Sequence, residues 1–321
     1  MDSDGGAEDL GPGDGLTPRQ RETLDRLGAP RSTRPVFADG IARQLRADLE
    51  ADLAPHLELL PEGRTLFVSK HALATVHACE ERWRSDEVHD TFTILPPIVV
   101  GSVAHKAIEL SLNRRSPATP GRLVDRALER LSASDEWMSD WLRDCDEDDR
   151  AEVRGEAIAR VSAFEDAWPP LSHTWRPVTE VRMRAELAAG RVILQGRPDL
   201  VLGRAEGMRA GKVVVDFKTG NVALHHRDDL RFYALVETLR AGVPPRVVAT
   251  SYLDSGQLHP EAVTAGLLDA AAARVADGIA RMLAILHGGA EAVRRPSGAC
   301  RWCRELEQCP PGRAHLDDAG P

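Results

Sequence analysis

Lysine is scarce in this chain. Of its 41 basic residues only Lys70, Lys106, Lys212 and Lys218 are lysines and the other 37 are arginines, so a lysine at a chemically suggestive position carries unusual weight. Aromatic residues make up only 4%. Cysteines number five in 321 residues, an odd and sparse count that disfavours a secreted disulfide framework and leaves cytoplasmic thiols or metal ligands. No run approaches the roughly 18 apolar residues that a membrane-crossing helix needs. The opening MDSDGGAEDLGPGDG is acidic and glycine-rich where a secretory leader is basic and then apolar. A cytoplasmic protein without membrane contact is expected. A phosphate loop is missing too, because GMRAGKV has three residues between its glycines where four are required, and Val213 stands where Ser or Thr belongs.

What is present is a 42% hydrophobic composition, ample for a folded core, and a net charge of −9 that is unevenly spread. Residues 1–14 and 135–149 together hold −12, which leaves the rest of the chain at +3. A mildly basic body permits a nucleic-acid partner without requiring one.

Residues 1 to about 16 read as a disordered acidic tail, and an Arg/Pro-containing connector reaches Pro35 after a short helix capped by Thr17. A helix is expected over Phe37 to Leu53 from the spacing of Ile41, Leu45 and Leu49. Ser69 caps a helix running to Trp83 that carries Cys79, and Gly101 to Arg114 is helical, with His105 beside the stripe Ala104, Ile108 and Leu112. Helices interrupted by an acidic loop at 144–149 fill Pro117 to Trp168. The period then shifts to strands around Val192–Leu194, Leu200–Val201, Val213–Val215 and Val247–Val248, the first three expected as a meander. A helix from Asp228 to Ala241 precedes the fourth, and a long helix from Pro260 to about His287 leads to a cysteine-rich tail.

Within the third strand Asp216 and Lys218 share one face, while Val215 and Phe217 point to the other. A charged pair projecting from an apolar strand reads either as a surface salt bridge or as half of a site. Pairing with the neighbouring strand brings Asp199 to the same place. Two carboxylates at one point repel, and a hard divalent cation, Mg2+ or Mn2+, resolves the repulsion. With a lysine alongside, such a set suits phosphodiester hydrolysis. Cys300, Cys303 and Cys309 stand as C-x2-C-x5-C, and with Cys79 far upstream they make a four-sulfur set suited to Zn2+ or an iron–sulfur cluster. Cys145, in the acidic segment, is the alternative fourth thiol. Arg294, Arg295, Arg301 and Arg304 surround Trp302, which either packs over the cysteines or stacks on a nucleic-acid strand.

Pro198-Asp199 followed by Asp216-Phe217-Lys218 resembles the signature of the PD-(D/E)XK nuclease superfamily. Gly196, the upstream His105, and Tyr233 in Asp229-Leu230-Arg231-Phe232-Tyr233-Ala234 resemble its RecB-type branch, with Asp229 where that branch has Gln. One cysteine before the core and three after it are similar to the AddB-like nucleases and the iron–sulfur exonucleases of CRISPR spacer acquisition. The resemblance implies an α/β, restriction-endonuclease-like core with a mixed central sheet flanked by helices. A single nuclease domain then spans 36–310, with a helical insertion at about 115–175, a cysteine cluster at 300–309 and tails at 1–35 and 311–321. It implies a metal-dependent exonuclease acting on single-stranded DNA ends in repair, recombination or CRISPR-type processing, alongside helicase or other DNA-processing proteins. Asp199, Asp216, Lys218 and Tyr233 are the implied catalytic residues. His105, Asp199, Asp216 and the main-chain carbonyl of Phe217 are the implied ligands of Mg2+ or Mn2+, and Cys79, Cys300, Cys303 and Cys309 those of a 4Fe-4S cluster or Zn2+. The rival reading is a catalytically silent nuclease-fold subunit that binds nucleic acid for a helicase. A third is a zinc-stabilised scaffold.

Overall fold

The computed structural model describes residues 15–89, 95–112, 118–134, 138–223 and 225–319. Nearly all of the expected acidic tail lies outside them. In chain order the elements begin with α1 (Pro18–Leu27), α2 (Ile41–Leu57), β1 (Leu66–Val68), α3 (Lys70–Ala78), α4 (Glu80–Val88) and α5 (Pro96–Leu112). Next come α6 (Pro120–Ser132), α7 (Ser139–Asp144), α8 (Glu147–Ala167), β2 (Val178–Thr179), β3 (Met183–Leu187) and β4 (Val192–Gly196). The chain closes with β5 (Leu200–Leu202), β6 (Val213–Lys218), α9 (His225–Ala241), β7 (Val247–Tyr252), β8 (Gln257–Ala262), α10 (Ala265–Leu286) and α11 (Pro310–Ala319).

The fold is mixed α/β, as expected, but its strands form two mixed sheets in place of one central sheet. One has the order β1-β4-β3 and the other β2-β5-β6-β7-β8. The expected three-strand meander is broken between β4 and β5. Pro198 cannot donate a ladder hydrogen bond and restricts Arg197 before it, so the chain turns out of one sheet and enters the next. β5 then pairs antiparallel with β6, and α9 carries the chain across to β7, which lies parallel to β6.

β6 is therefore the middle strand of five, and its alternation divides the core. Val214 faces the cluster built with α2, α9 and α10, while Val213, Val215 and Phe217 face the cluster built with α5, α6 and α8. A strand buried on both faces has no reason to carry charge on packing grounds. Asp216 is nevertheless only 2% exposed.

Other boundaries move for local reasons. Ser69 caps α3 by accepting from the Ala72 N–H, but the helix expected to run on to Trp83 breaks at Cys79, whose extended backbone (φ −159°, ψ 112°) separates α3 from α4. The acidic segment expected as a loop is largely a helix start. Asp146 caps α8, and Glu147, Asp148 and Asp149 fill its first turn, where the helix dipole favours negative charge. Pro260 does not open α10 but lies in β8, an edge strand, where a missing N–H is tolerated.

Candidate active site

The carboxyl end of β6 collects the charged residues. Asp216 and Lys218 project from the same face, and Lys218 Nζ lies 2.8 Å from Asp216 Oδ2. Asp199, in the turn before β5, reaches the edge of β6 just past the end of β5 pairing. Its Oδ2 accepts from the Phe217 N–H at 2.6 Å and its Oδ1 lies 3.0 Å from His105 Nδ1 on α5. Asp199, Asp216, Lys218 and His105, expected together from the sequence, thus meet. The N–H and C=O of a strand residue lie along one edge, so the Phe217 carbonyl is on the Asp199 side. The Phe217 ring packs behind, edge-on to Phe164, Trp168 and His105.

Two members of the site were not foreseen. Lys70, the first residue of α3, donates from Nζ to Asp216 Oδ1 at 2.8 Å across 146 residues of sequence. Asp229 on α9, which stands where the RecB-type pattern has Gln, accepts from Lys218 Nζ at 2.8 Å. Two of only four lysines in the chain therefore converge on one carboxylate. Lysine scarcity was the one signal that pointed to Lys70, and the four-residue step from Asp229 to Tyr233 places both on one face of α9. Tyr233 itself is 1% exposed, with Lys70 Nζ 4.8 Å from its ring centroid. It underlies the site, buried beneath the charged residues. Gly196 is needed for this: a Cβ there would lie 2.5 Å from Tyr233 Cε1.

Burial alone would push the Asp216 carboxyl up, but Lys70 and Lys218 outweigh it and hold the group well below the usual carboxylate range. For Lys218 burial favours the neutral amine, and Asp216 and Asp229 reverse this, raising its pKa. His105 likewise has its pKa raised by Asp199 against the effect of burial. Glu180 shows the opposite balance. Burial and the Asp199 charge raise its carboxyl pKa, although Arg197 pairs with it at 2.6 Å, and its backbone holds the left-handed φ of 52°. A non-glycine residue in that region is strained.

Asp216 Oδ2 is buried, with the Lys218 ammonium 2.8 Å away. A buried carboxylate oxygen next to the carboxylate of Asp199 and the Phe217 carbonyl belongs to the all-oxygen donor set that Mg2+ and Mn2+ prefer. Among the described residues no three His, Cys, Asp or Glu side chains already stand in the arrangement of a bound ion.

The model of the PD-(D/E)XK nuclease superfamily matches residues 68–310. The chain belongs to this superfamily. Two solved structures resemble this PD-(D/E)XK nuclease distantly. The crystal structure of SSO0001 is 16% identical over 86% of this chain and 97% of that one, with a TM-score of 0.35. A structure titled "Putative exonuclease" from Eubacterium rectale is 15% identical over 78% of this chain and 88% of that one, with a TM-score of 0.44. No curated protein matches the chain.

Away from the charged site, the superfamily member brings Cys79, Cys300, Cys303 and Cys309 to the wall of one cavity of about 40 Å3, and Cys145 is not among its lining residues. The cavity is built around a glycine: a Cβ at Gly312 would lie 3.2 Å from Cys309 Sγ and 3.6 Å from Cys300 Sγ. The Ser297 N–H donates to Cys300 Sγ at 3.3 Å. Carboxylates hold the tail against α4. Glu80 accepts from Arg281 at 2.8 Å, from the Val293 N–H at 3.0 Å and from Arg295 at 3.1 Å. Arg294 and Arg295 are drawn into these pairs with Glu81 and Glu80, so the expected basic patch shrinks. Trp302 does not cover the cysteines. It is 61% exposed, with the Arg301 guanidinium 5.3 Å from its ring centroid. No helix among the described residues is long and apolar enough to cross a membrane.

Proposed function

We propose that the chain is a Mg2+- or Mn2+-dependent deoxyribonuclease of the RecB type, cutting single-stranded DNA from its ends. The observation that carries the reading is the meeting of Asp199, Asp216 and Lys218 at the end of the central strand, where packing alone would favour apolar residues. Asp199, Asp216 and the Phe217 carbonyl are the groups that hold the cation, with His105 orienting Asp199 through Nδ1. When bound, the cation supplies Lewis acidity to a water and offsets charge on the phosphate oxygens.

Lys218 contributes positive charge. A general base must be deprotonated, and the raised pKa of Lys218 favours the ammonium, so its part is to orient the attacking water and stabilise the phosphorane-like transition state. Asp229 fixes that ammonium from α9, and Tyr233 and Gly196 keep α9 close to the turn that carries Asp199. Preference for DNA, for single strands and for ends rests on the RecB-type resemblance of His105, the Pro198-Asp199 and Asp216-Phe217-Lys218 motifs and Tyr233.

The four cysteines are assigned to a 4Fe-4S cluster. The support is their convergence on one cavity, the glycine that leaves room between two of the sulfurs, and the order of one early and three late cysteines. Such a centre ties residue 79 to the tail and closes a loop that contains every proposed active-site residue except Lys70.

End-labelled single- and double-stranded DNA incubated with and without Mn2+ tests the reading. Metal-dependent shortening of the single strand from its ends, abolished by Asp216→Asn, is expected. Cleavage that persists in Asp216→Asn, or that ignores the metal, overturns it.

A further inference from the structure

We propose that Lys70 is a built-in counter-ion of Asp216 that opposes binding of the divalent cation and so sets the metal concentration at which the site becomes competent. The inference deepens the reading of the site as a cation site and rests on it.

The placement of Lys70 is costly in local terms. It is the first residue of α3, and a cation at a helix N-terminus meets the positive end of the macrodipole. Nothing in α3 offsets this, since its first turn contains no acidic residue. The compensation comes from a different part of the chain. Lys70 Nζ donates to Asp216 Oδ1 at 2.8 Å, its side chain is 25% exposed, and its ammonium lies over the Tyr233 ring. A residue that violates a local rule for a distant partner marks a functional contact.

The two lysines on Asp216 are not equivalent. Lys218 has a second carboxylate, Asp229, at the same 2.8 Å, and is held there whether or not Asp216 is engaged elsewhere. Lys70 forms its one salt bridge among the described residues with Asp216, and its ammonium also lies over the Tyr233 ring. With both ammonium groups present the negative charge of Asp216 is already answered, and a divalent cation arriving at Oδ2 meets a carboxylate neutralised from its other oxygen. Lys218 serves the chemistry, and Lys70 regulates entry of the metal.

Mn2+ binding without nucleic acid, followed through the paramagnetic resonance signal of free Mn2+ at pH 7.5, tests this independently of catalysis. A neighbouring opposite charge changes the proton affinity of a carboxylate by about 10-fold or more, and a similar factor is expected for a competing cation. Lys70→Met and Lys70→Gln should each bind Mn2+ at least about 10-fold more tightly than the unmodified protein, whereas Lys70→Arg, which keeps the charge, should stay within about threefold of it. A merely structural lysine leaves the affinity unchanged or weakens it. That result in whichever neutral variant folds overturns the proposal. Asp216→Asn separates the two levels. If it abolishes Mn2+ binding while the neutral Lys70 variants bind as before, only the role of Lys70 fails. If Asp216→Asn binds Mn2+ undiminished, the cation site itself is misassigned and the proposal falls with it.

Discussion

Gly196→Ala probes the frame of the site without touching a charged group. A Cβ at this position would lie 2.5 Å from Tyr233 Cε1, 3.2 Å from Tyr233 Cδ1 and 3.6 Å from Phe232 Cε1. Carbon atoms prefer separations of about 3.5–4.0 Å, so the first contact is an overlap of about 1 Å. Relief requires the Tyr233 ring to move, and that ring is 1% exposed, with Lys70 over its face. Overpacking of this kind costs about 1–3 kcal/mol, and the rigidity of this position argues for the upper half of that range. Gly155 in α8 supplies the control, because a Cβ there meets nothing within 4 Å and the residue lies inside a regular helix. Gly155→Ala should gain about 0.5–1 kcal/mol from helix propensity. Urea denaturation of both variants, with DNA cleavage measured in parallel, decides the matter. Gly196→Ala should lose about 2 kcal/mol and most of its activity. If it unfolds with the same midpoint as the unmodified chain, the proposed contact between the Asp199 turn and α9 does not exist.

Three other perturbations reach separate parts of the account. Lys218→Ala should cut the cleavage rate by about 100-fold or more at saturating Mn2+, the scale of losing one preorganised charge at the reacting centre, and a rate within a few-fold of normal contradicts its role. Cys303→Ala should lower iron, sulfide and melting temperature together in anaerobically purified protein, and no change in all three removes the cluster assignment. Glu80→Ala removes the acceptor of three charge-assisted hydrogen bonds and should cost about 1–3 kcal/mol while opening the Arg294–Arg295 bond to trypsin. Burial raises the Glu80 carboxyl, but the Val293 N–H, Arg281 and Arg295 pull it below its ordinary 4.5. Its contribution is therefore complete above that pH and is lost as the pH falls through the lower, folded value, so the tail should become protease-sensitive only in acid.

How far the sequence foretold this arrangement depended on how local each signal was. The alternation of Val213 to Lys218 is a property of six consecutive residues, and it assigned both faces of β6 correctly. Ser69 announced the start of α3 in the same local way. Short strands were less visible. β1 has three residues, and β8, with Gln257, His259, Pro260 and Glu261, has no strand-like composition and exists because β7 offers it an edge. α9 begins at His225, three residues before the expected start at Asp228. The two unforeseen site residues show the same limit. Asp229 was hidden by an expected glutamine, and Lys70 is linked to Asp216 only through the packing of α3 against α9. The exposure of Trp302 could not be read from its neighbours, since Arg294 and Arg295 are drawn off by Glu81 and Glu80 on a helix more than 200 positions earlier.

The central claim is that Asp199 and Asp216 share one divalent cation. Crystals soaked in Mn2+ and measured at a wavelength where manganese scatters anomalously test it directly. The account predicts a single strong peak about 2.0–2.2 Å from a carboxylate oxygen of each residue, with Lys218 Nζ nearby and unbound to the metal. Manganese bound elsewhere, or in contact with only one of the two carboxylates, contradicts it.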